Sequence, residues 1–154
     1  MDKIIAIAGP TAVGKTKFAI DIAENFSGEI VSCDSMQLYK YMNIGSAKPT
    51  EEEQKRAVHH LIDFLNPWEE FSVARYQELA KTAIKEIFKR GRIPIISGGT
   101  GLYLNSLLYD MDFSSVPGDF SYRKQLEKMA EEEGSLYLHQ MLKAQDLQAA
   151  EAIH

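Results

Sequence analysis

The sequence predicts a parallel α/β fold, with helices on both faces of one sheet, followed by a short helical segment. Short apolar runs alternate with amphipathic helical patterns up to about residue 110, as in βαβ architectures. A glycine-rich turn of the phosphate-binding type joins the first apolar run to the first helical pattern. After Asp110 the apolar runs stop, and charged helical patterns replace them.

The composition is that of a globular protein. The chain has 154 residues, 45% of them hydrophobic and 25% charged, so it can bury a core of its own. The net charge of -5 argues against a polybasic nucleic-acid binder but allows a local basic patch. The single cysteine, Cys33, is typical of a reducing compartment. We see no apolar run near the roughly 18 residues of a membrane span and no basic leader, so we expect a cytoplasmic protein.

The first elements follow directly from the pattern. Ile4 to Ala8 is a short apolar run before Gly-Pro, as expected for a buried parallel strand. Glu29 to Cys33 is the second strand, and Asp34 follows its end. Between them, apolar residues recur at helical spacing from Lys15 until the stop signal Gly28: Phe18, Ala19, Ile22, Ala23 and Phe26.

The later elements are bounded by capping residues and glycines. Thr50 and Glu53 predict a capped helix start after Pro49. HHLIDFL (59–65) is a third strand candidate. RIPIISGG (92–99) is a further strand, and TGLYLNSLL (100–108) continues as a helix. A long helix begins after Ser72 and ends at Gly91, and it carries an apolar face: Val73, Tyr76, Ala80, Ala83, Ile84 and Ile87.

We predict a domain boundary near residue 113. Residues 1–112 form the α/β core. A linker rich in Ser, Pro, Gly and Asp occupies 113–121. Helices follow at about 122–133 and 135–144, with a third helical piece at 145–154, so 113–154 is predicted to be a separate helical segment.

The stretch GPTAVGKT has the phosphate-binding pattern G-x-x-x-x-G-K-[ST]. Successive backbone N–H groups can point at one anion, and the amino end of the helix adds its dipole. Lys15 neutralises the outer phosphate, and the Thr16 hydroxyl suits Mg²⁺. We expect this loop to bind a diphosphate or a nucleotide through Gly9, Pro10, Thr11, Ala12, Val13, Gly14, Lys15 and Thr16.

Two further stretches end predicted strands, where ligands bind in open α/β sheets. Asp34 can bind a metal-bound water or accept a proton there; the alternative is a cap or turn residue. In SGGTG (97–101), Gly98 and Gly99 let the backbone approach a ligand, and Thr100 offers a hydroxyl. The alternative for this stretch is an ordinary strand-to-helix turn.

Several other residues are assigned structural roles. His59 and His60 are adjacent and do not share a face, so we do not expect a two-histidine metal site. Cys33 is interpreted as a small buried residue rather than a nucleophile. Trp68 and Phe71 are interpreted as a loop anchor.

A possible phosphate-tracking patch of basic residues is interpreted instead as solvated surface: Arg90, Arg92, Arg123 and Lys124.

Four stretches, in this order, resemble the tRNA dimethylallyltransferase (tRNA isopentenyltransferase) family: GPTAVGKT, SCDSMQLYKYMNIGSAKP, HHLIDFLNPWEEFSVARY and ISGGTGLYLNSLLYD. The resemblance is close over residues 3 to about 110 and weaker beyond. The second stretch is the more specific, because ordinary kinases have no DSMQLYKYMNIGSAKP. At Leu38, Asn43 and Ser46 the family often carries other residues. Those residues are similar in size or polarity to the ones found here.

The resemblance implies a P-loop NTPase-like fold and an RNA-modifying reaction. The family transfers the dimethylallyl group of dimethylallyl diphosphate to the exocyclic amine of the adenosine 3′ of the tRNA anticodon, so diphosphate is the leaving group. By this resemblance Asp34 is the general base, and Lys15, Thr16 and Mg²⁺ stabilise the departing diphosphate. The residues that match tRNA contacts in the family are Asp34, Ser35, Met36, Gln37, Thr100 and Arg123.

Members of this family are longer than this chain. By resemblance, residues 113–154 are the start of a tRNA-binding helical domain. We expect the longer proteins to be monomers, and this shorter chain to self-associate, to bind diphosphate weakly and to transfer little. Two alternatives stay open. The loop can serve ATP in a small nucleoside or metabolite kinase, or the chain can bind diphosphate without catalysis.

Overall fold

A computed structural model describes residues 3–113 and 119–153. The chain divides into two compact units, Met1–Phe113 and Ser114–His154. The linker predicted at 113–121 falls largely outside the described residues.

The first unit contains a sheet of four strands, β1 (Ile5–Ala8), β2 (Gly28–Ser32), β3 (His59–His60) and β4 (Ile93–Gly98). Their order is β1-β4-β2-β3, and every pairing in this sheet is parallel. The predicted parallel α/β fold is therefore confirmed. The carboxyl ends of β1, β4 and β2 lie side by side at one edge of the sheet.

Helices cover both faces of this sheet. They are α1 (Lys15–Phe26) on one face and α3 (Val73–Lys89) with α4 (Gly101–Leu108) on the other; α2 (Glu51–Arg56) contacts α1. Successive strand residues point to opposite faces. Ile30 and Ile95 therefore join a core with residues of α1, namely Ala19, Ile20 and Ala23. Val31 and Ile96 join the other core with residues of α3 and α4, namely Tyr76, Ala80, Ile84, Ile87 and Tyr103.

The helix starts follow the predicted capping residues. Thr50 Oγ1 accepts a hydrogen bond from Glu53 N–H at 3.2 Å, and the Glu53 carboxylate accepts one from Thr50 N–H at 2.8 Å. This reciprocal pair is a capping box. Ser72 Oγ caps α3 by accepting from Arg75 N–H at 3.2 Å.

The strand predicted over 59–65 is wrong beyond His60. Leu61 and Asp63 have φ angles of 60° and 54°, and such left-handed conformations cannot continue a strand. Further along, Leu65 forms an isolated parallel bridge with Tyr39.

The second unit consists of α5 (Phe120–Glu133), α6 (Ser135–Gln145) and α7 (Leu147–Glu151). Asp119 caps α5, and Asp146 caps α7. His139 Nε2 lies 2.9 Å from Ala150 O and links α6 to α7. Among the helices of the described residues, none has the length and apolar character needed to cross a membrane.

Candidate active site

The phosphate-binding loop connects β1 to α1. Gly14 is the N-cap residue of α1, with φ of 87° and ψ of 16°, a left-handed conformation that favours glycine. Lys15 Nζ donates a hydrogen bond to Pro10 O at 2.6 Å, so the lysine side chain folds back over the loop. A glycine turn at the amino end of a helix is the geometry that binds phosphate groups.

A cavity of about 290 Å³ opens beside this loop; we call it the loop cavity. Polar residues from the loop and from the ends of β2 and β4 line it: Thr11, Lys15, Thr16, Asp34, Gln37 and Ser97. Apolar residues line it as well, and we call this set the apolar wall: Ala19, Ile30, Ala47, Pro49 and Ile62. A phosphate-binding loop, a carboxylate and an apolar surface thus share one cavity.

Asp34 has both a turn role and a place in the cavity lining. Its Oδ1 accepts a hydrogen bond from Met36 N–H at 3.0 Å, which is an Asx-type turn contact. Because Asp34 also lines the loop cavity, the two interpretations offered by the sequence are compatible. One carboxylate oxygen shapes the turn, and the carboxylate stays within reach of a ligand.

The glycines of SGGTG bring the end of β4 close to the ends of β2 and β1. A Cβ on Gly98 would lie 2.1 Å from Cys33 O, and a Cβ on Gly99 would lie 3.4 Å from Gly9 O. Thr100 N–H donates to Cys33 O at 3.1 Å. This turn therefore has a structural role, and it also contributes Ser97 and Gly98 to the cavity lining.

The residues after Asp34 have different environments. Ser35 N–H donates to Thr100 Oγ1 at 2.9 Å, whereas Met36 is 47% exposed. Gln37 is buried; its Oε1 accepts from Ser32 Oγ at 3.0 Å, and its Nε2 donates to Ala47 O at 3.0 Å. Asp34 and Gln37 thus line the cavity, while Ser35 and Thr100 bond to each other next to them in the chain and across the turn.

Arg123 lies in α5, in the second unit. The contact of Arg123 with the tRNA therefore stays a prediction.

Burial determines the protonation of two groups near the site. Cys33 is 1% exposed, and burial raises the pKa of its thiol to about 11. The interpretation of Cys33 as a buried residue is confirmed, and a neutral thiol is a poor nucleophile. Burial also lowers the pKa of His59, whose Nδ1 lies 2.8 Å from Ala57 O. His59 lines the loop cavity as a neutral ring.

Two arginines predicted to lie at the surface, Arg90 and Arg92, pair with a buried carboxylate, Glu29. Arg90 donates from Nε and Nη2 to Glu29 at 3.0 and 2.7 Å, and Arg92 Nε lies 3.6 Å from Glu29 Oε1. His60 Nε2 is 2.6 Å from Glu29 Oε2. Arg90 and Arg92 are exposed, as predicted, and in addition they neutralise this buried charge.

The loop anchor predicted around Trp68 is only half right. Trp68 is 77% exposed and anchors nothing. Phe71 packs edge-on against Phe64, with ring centroids 5.6 Å apart.

Sequence reasoning missed part of the cavity lining. The residues come from the irregular stretch 40–60 and its continuation, where no periodic pattern marks a buried face: Ala47, Pro49, Glu53, His59 and Ile62. The available signal was the presence of apolar residues inside an otherwise polar stretch.

Comparison with known proteins gives one consistent family. The IPP transferase family model matches residues 37–154. The tRNA dimethylallyltransferase of Acetivibrio thermocellus is 56% identical over 154 residues, which is all of this chain and 49% of that protein. That of Bacillus cytotoxicus is 50% identical over 99% of this chain and 48% of its own length. The chain spans about half the length of the curated relatives it matches.

Solved structures agree in fold. The full-length tRNA isopentenylpyrophosphate transferase of Bacillus halodurans matches all of this chain and 51% of its own, with a TM-score of 0.72 and 47% identity. A eukaryotic dimethylallyltransferase acting on tRNA matches all of this chain and 38% of its own, with a TM-score of 0.84 and 31% identity.

Proposed function

The chain belongs to the IPP transferase family, and we propose that it carries the donor site of a tRNA dimethylallyltransferase. The proposed reaction transfers the dimethylallyl group of dimethylallyl diphosphate to the exocyclic amine of the adenosine 3′ of the anticodon. One observation carries the proposal: the phosphate loop, Asp34 and an apolar wall line the same cavity.

The donor has a charged end and an apolar end, and this cavity has lining residues suited to each. The diphosphate binds the N–H groups of the loop, Lys15 and Thr16. The five-carbon chain lies against the apolar wall, where burial of hydrocarbon is favourable. Lys15 donates to the neutral carbonyl of Pro10, and within the described residues it has no carboxylate partner. The Lys15 ammonium group is therefore available to bind the diphosphate.

The metal we propose is Mg²⁺. Among residues 3–113 and 119–153 no group of three His, Cys, Asp or Glu side chains could hold a metal ion. Mg²⁺ does not require such a cluster, because it keeps several waters and binds through few protein groups together with substrate phosphates. The Thr16 hydroxyl, at the start of α1, is a suitable hard oxygen ligand. When bound, the ion would offset charge on the diphosphate.

The reaction needs a base and a stabilised leaving group. The amine nitrogen forms a bond to the allylic carbon as the carbon–oxygen bond breaks, and the electron pair leaves with the diphosphate. The loop N–H groups and Lys15 stabilise that developing charge. Asp34 takes the proton that the amine loses. Its Oδ1 contact with Met36 N–H holds the carboxylate in place for this transfer.

The acceptor is proposed to be a tRNA anticodon loop. An adenine can reach Asp34 only when it is lifted out of the stacked loop. The proposed contacts are residues of the turn after β2, the N-cap residue of α4 and one residue of the second unit: Asp34, Ser35, Met36, Gln37, Thr100 and Arg123. A cytoplasmic location and self-association of the chain stay predictions.

The test is a chimera in which this chain replaces the matched segment of the Acetivibrio thermocellus relative. It is incubated with Mg²⁺, dimethylallyl diphosphate and an anticodon stem-loop, and the RNA is analysed by mass spectrometry. A parallel reaction contains ATP and a nucleoside. Prenylated adenosine is the expected product. Formation of ADP would favour the kinase alternative, and donor binding without either product would favour the non-catalytic one.

A further inference from the structure

Lys48 is a buried ammonium group that joins two segments of the chain. Its Nζ donates to Asp63 Oδ1 at 2.6 Å, to Tyr39 O at 2.8 Å and to Asn43 Oδ1 at 2.9 Å. The Lys48 side chain is 4% exposed, against 39% for Asp63. A buried charge with this many partners holds its neighbours in one arrangement, because loss of a partner leaves the charge uncompensated.

The neighbours of this ion pair form much of the apolar wall. Lys48 stands between Ala47 and Pro49, and Asp63 follows Ile62. Ala47, Pro49 and Ile62 all line the loop cavity. The Lys48–Asp63 pair therefore connects the segment that carries Ala47 and Pro49 to the segment that carries Ile62.

The backbone on both sides of the pair is strained. Ala47, Leu61 and Asp63 have φ angles of 49°, 60° and 54°. Residues other than glycine persist in this region only when the surrounding structure holds them there. Gln37 contributes by donating from Nε2 to Ala47 O at 3.0 Å and accepting at its own carbonyl from Asp63 N–H at 3.1 Å. The ion pair adds a direct side-chain link between the two segments.

We propose that Lys48 and Asp63 are positioning residues that hold Ala47, Pro49 and Ile62 against the hydrocarbon of the donor. They thereby set the preference of the site for a prenyl diphosphate over bare diphosphate. This inference rests on the proposed function. The pair acts on the hydrocarbon end, since in the described part of the chain neither residue bonds to the phosphate loop.

The test measures two affinities of the 154-residue chain by calorimetry with Mg²⁺ present: one for dimethylallyl diphosphate and one for inorganic diphosphate. In the Lys48→Met chain we expect the affinity for inorganic diphosphate to stay within twofold. We expect the affinity for dimethylallyl diphosphate to fall about tenfold. This loss corresponds to the free energy of burying one or two methylene groups. Lys81→Met is the matched control, because Lys81 also pairs with a carboxylate, Asp110, but does not line the loop cavity.

Asp63→Asn provides a second variant that keeps the volume and the acceptor oxygen and removes the charge. A lowered preference in this chain supports the inference. If Lys48→Met unfolds the chain, it will lose affinity for both ligands. The result with Asp63→Asn then tests the inference instead. An unchanged ratio of the two affinities in Asp63→Asn, or an equal loss in Lys81→Met, overturns the inference and leaves the proposed function standing. A wild-type chain without preference for the prenyl ligand overturns both.

Discussion

Ser35 and Thr100 are joined by two hydrogen bonds, although 65 positions separate them in the sequence. Ser35 N–H donates to Thr100 Oγ1 at 2.9 Å, and Thr100 O–H donates to Ser35 Oγ at 3.3 Å. Thr100 occupies the N-cap position of α4, yet its side chain makes no cap hydrogen bond there. The hydroxyl instead ties the turn after β2 to the start of α4, and so it supports the segment that carries Asp34.

Thr100→Val tests this tie, because it removes the hydroxyl and keeps the shape. The Ser35 N–H then loses its acceptor, and we expect the free energy of unfolding to fall by about 1–3 kcal/mol. Thr100→Ser is the control, since it keeps the hydroxyl. Urea unfolding of the three chains measures the effect. Equal stability of the Val and wild-type chains would show that the bond contributes nothing.

Asp34→Asn separates proton removal from the turn role. Asn keeps an acceptor for Met36 N–H but cannot take a proton from the substrate. In the chimera we expect kcat to fall by about 10²–10⁴, as for removal of a general base, with the affinity for dimethylallyl diphosphate unchanged. Asp34→Ala should lose the same activity and some stability as well. Normal turnover of the Asn variant would refute the assignment of the base.

Lys15→Ala should weaken binding rather than the proton transfer. Loss of a hydrogen bond to a charged group costs about 1.5–3 kcal/mol, so we expect at least about a tenfold loss of affinity for diphosphate. Lys55→Ala, an exposed lysine outside the loop cavity, is the control. Calorimetry measures both. If the affinity for dimethylallyl diphosphate did not change, the loop would be holding another ligand.

Gly98→Ala should be strongly destabilising. The added Cβ would meet Cys33 O at 2.1 Å, and overpacking of this kind costs about 1–3 kcal/mol. Gly101→Ala is the contrast, because nothing lies within 4 Å of a Cβ there, and Gly→Ala at a compatible position stabilises by about 0.4–1 kcal/mol through the unfolded chain. Thermal unfolding should therefore shift in opposite directions. A shift of the same sign in both variants would contradict the close approach of β2 and β4.

Glu29 should make stability depend on acid pH. The hydrogen bond from Arg90, and to a smaller extent the one from His60, lowers the pKa of Glu29 below its ordinary value of 4.5. Because the folded-state pKa is lower than the unfolded one, this stabilisation is present above about pH 4.5 and is lost as pH falls through the folded-state pKa. The difference in unfolding free energy between wild type and Glu29→Gln should be largest near neutral pH and shrink in acid.

Glu78→Gln is the control for this titration. Glu78 pairs with Arg75, and both side chains are largely exposed, so its removal should change stability little at any pH. Urea unfolding from pH 7 down to pH 3 measures all three chains. A constant difference between wild type and Glu29→Gln over that range would show that the Glu29 carboxyl keeps its ordinary pKa.

Features that depend on neighbouring residues could be predicted from the sequence. The phosphate loop between β1 and α1 follows from one short motif, and the capping pair Thr50 and Glu53 acts within a single helical turn. Where the local pattern is ambiguous the prediction fails. HHLIDFL is apolar enough for a strand, but the left-handed Leu61 and Asp63 end it after two residues.

By itself, the sequence determined the alternation of strands and helices, the phosphate loop and the place of Asp34 at a strand end, because hydrophobic periodicity and turn chemistry act over short distances. Only the tertiary structure decided the strand order β1-β4-β2-β3 and the partners of Glu29, Lys48 and Thr100. Arg90 stands 61 positions from Glu29, Asp63 stands 15 positions from Lys48, and Ser35 stands 65 positions from Thr100. Which distant groups meet depends on how the buried faces of all the elements pack together, and no local pattern around any one of these residues carries that information.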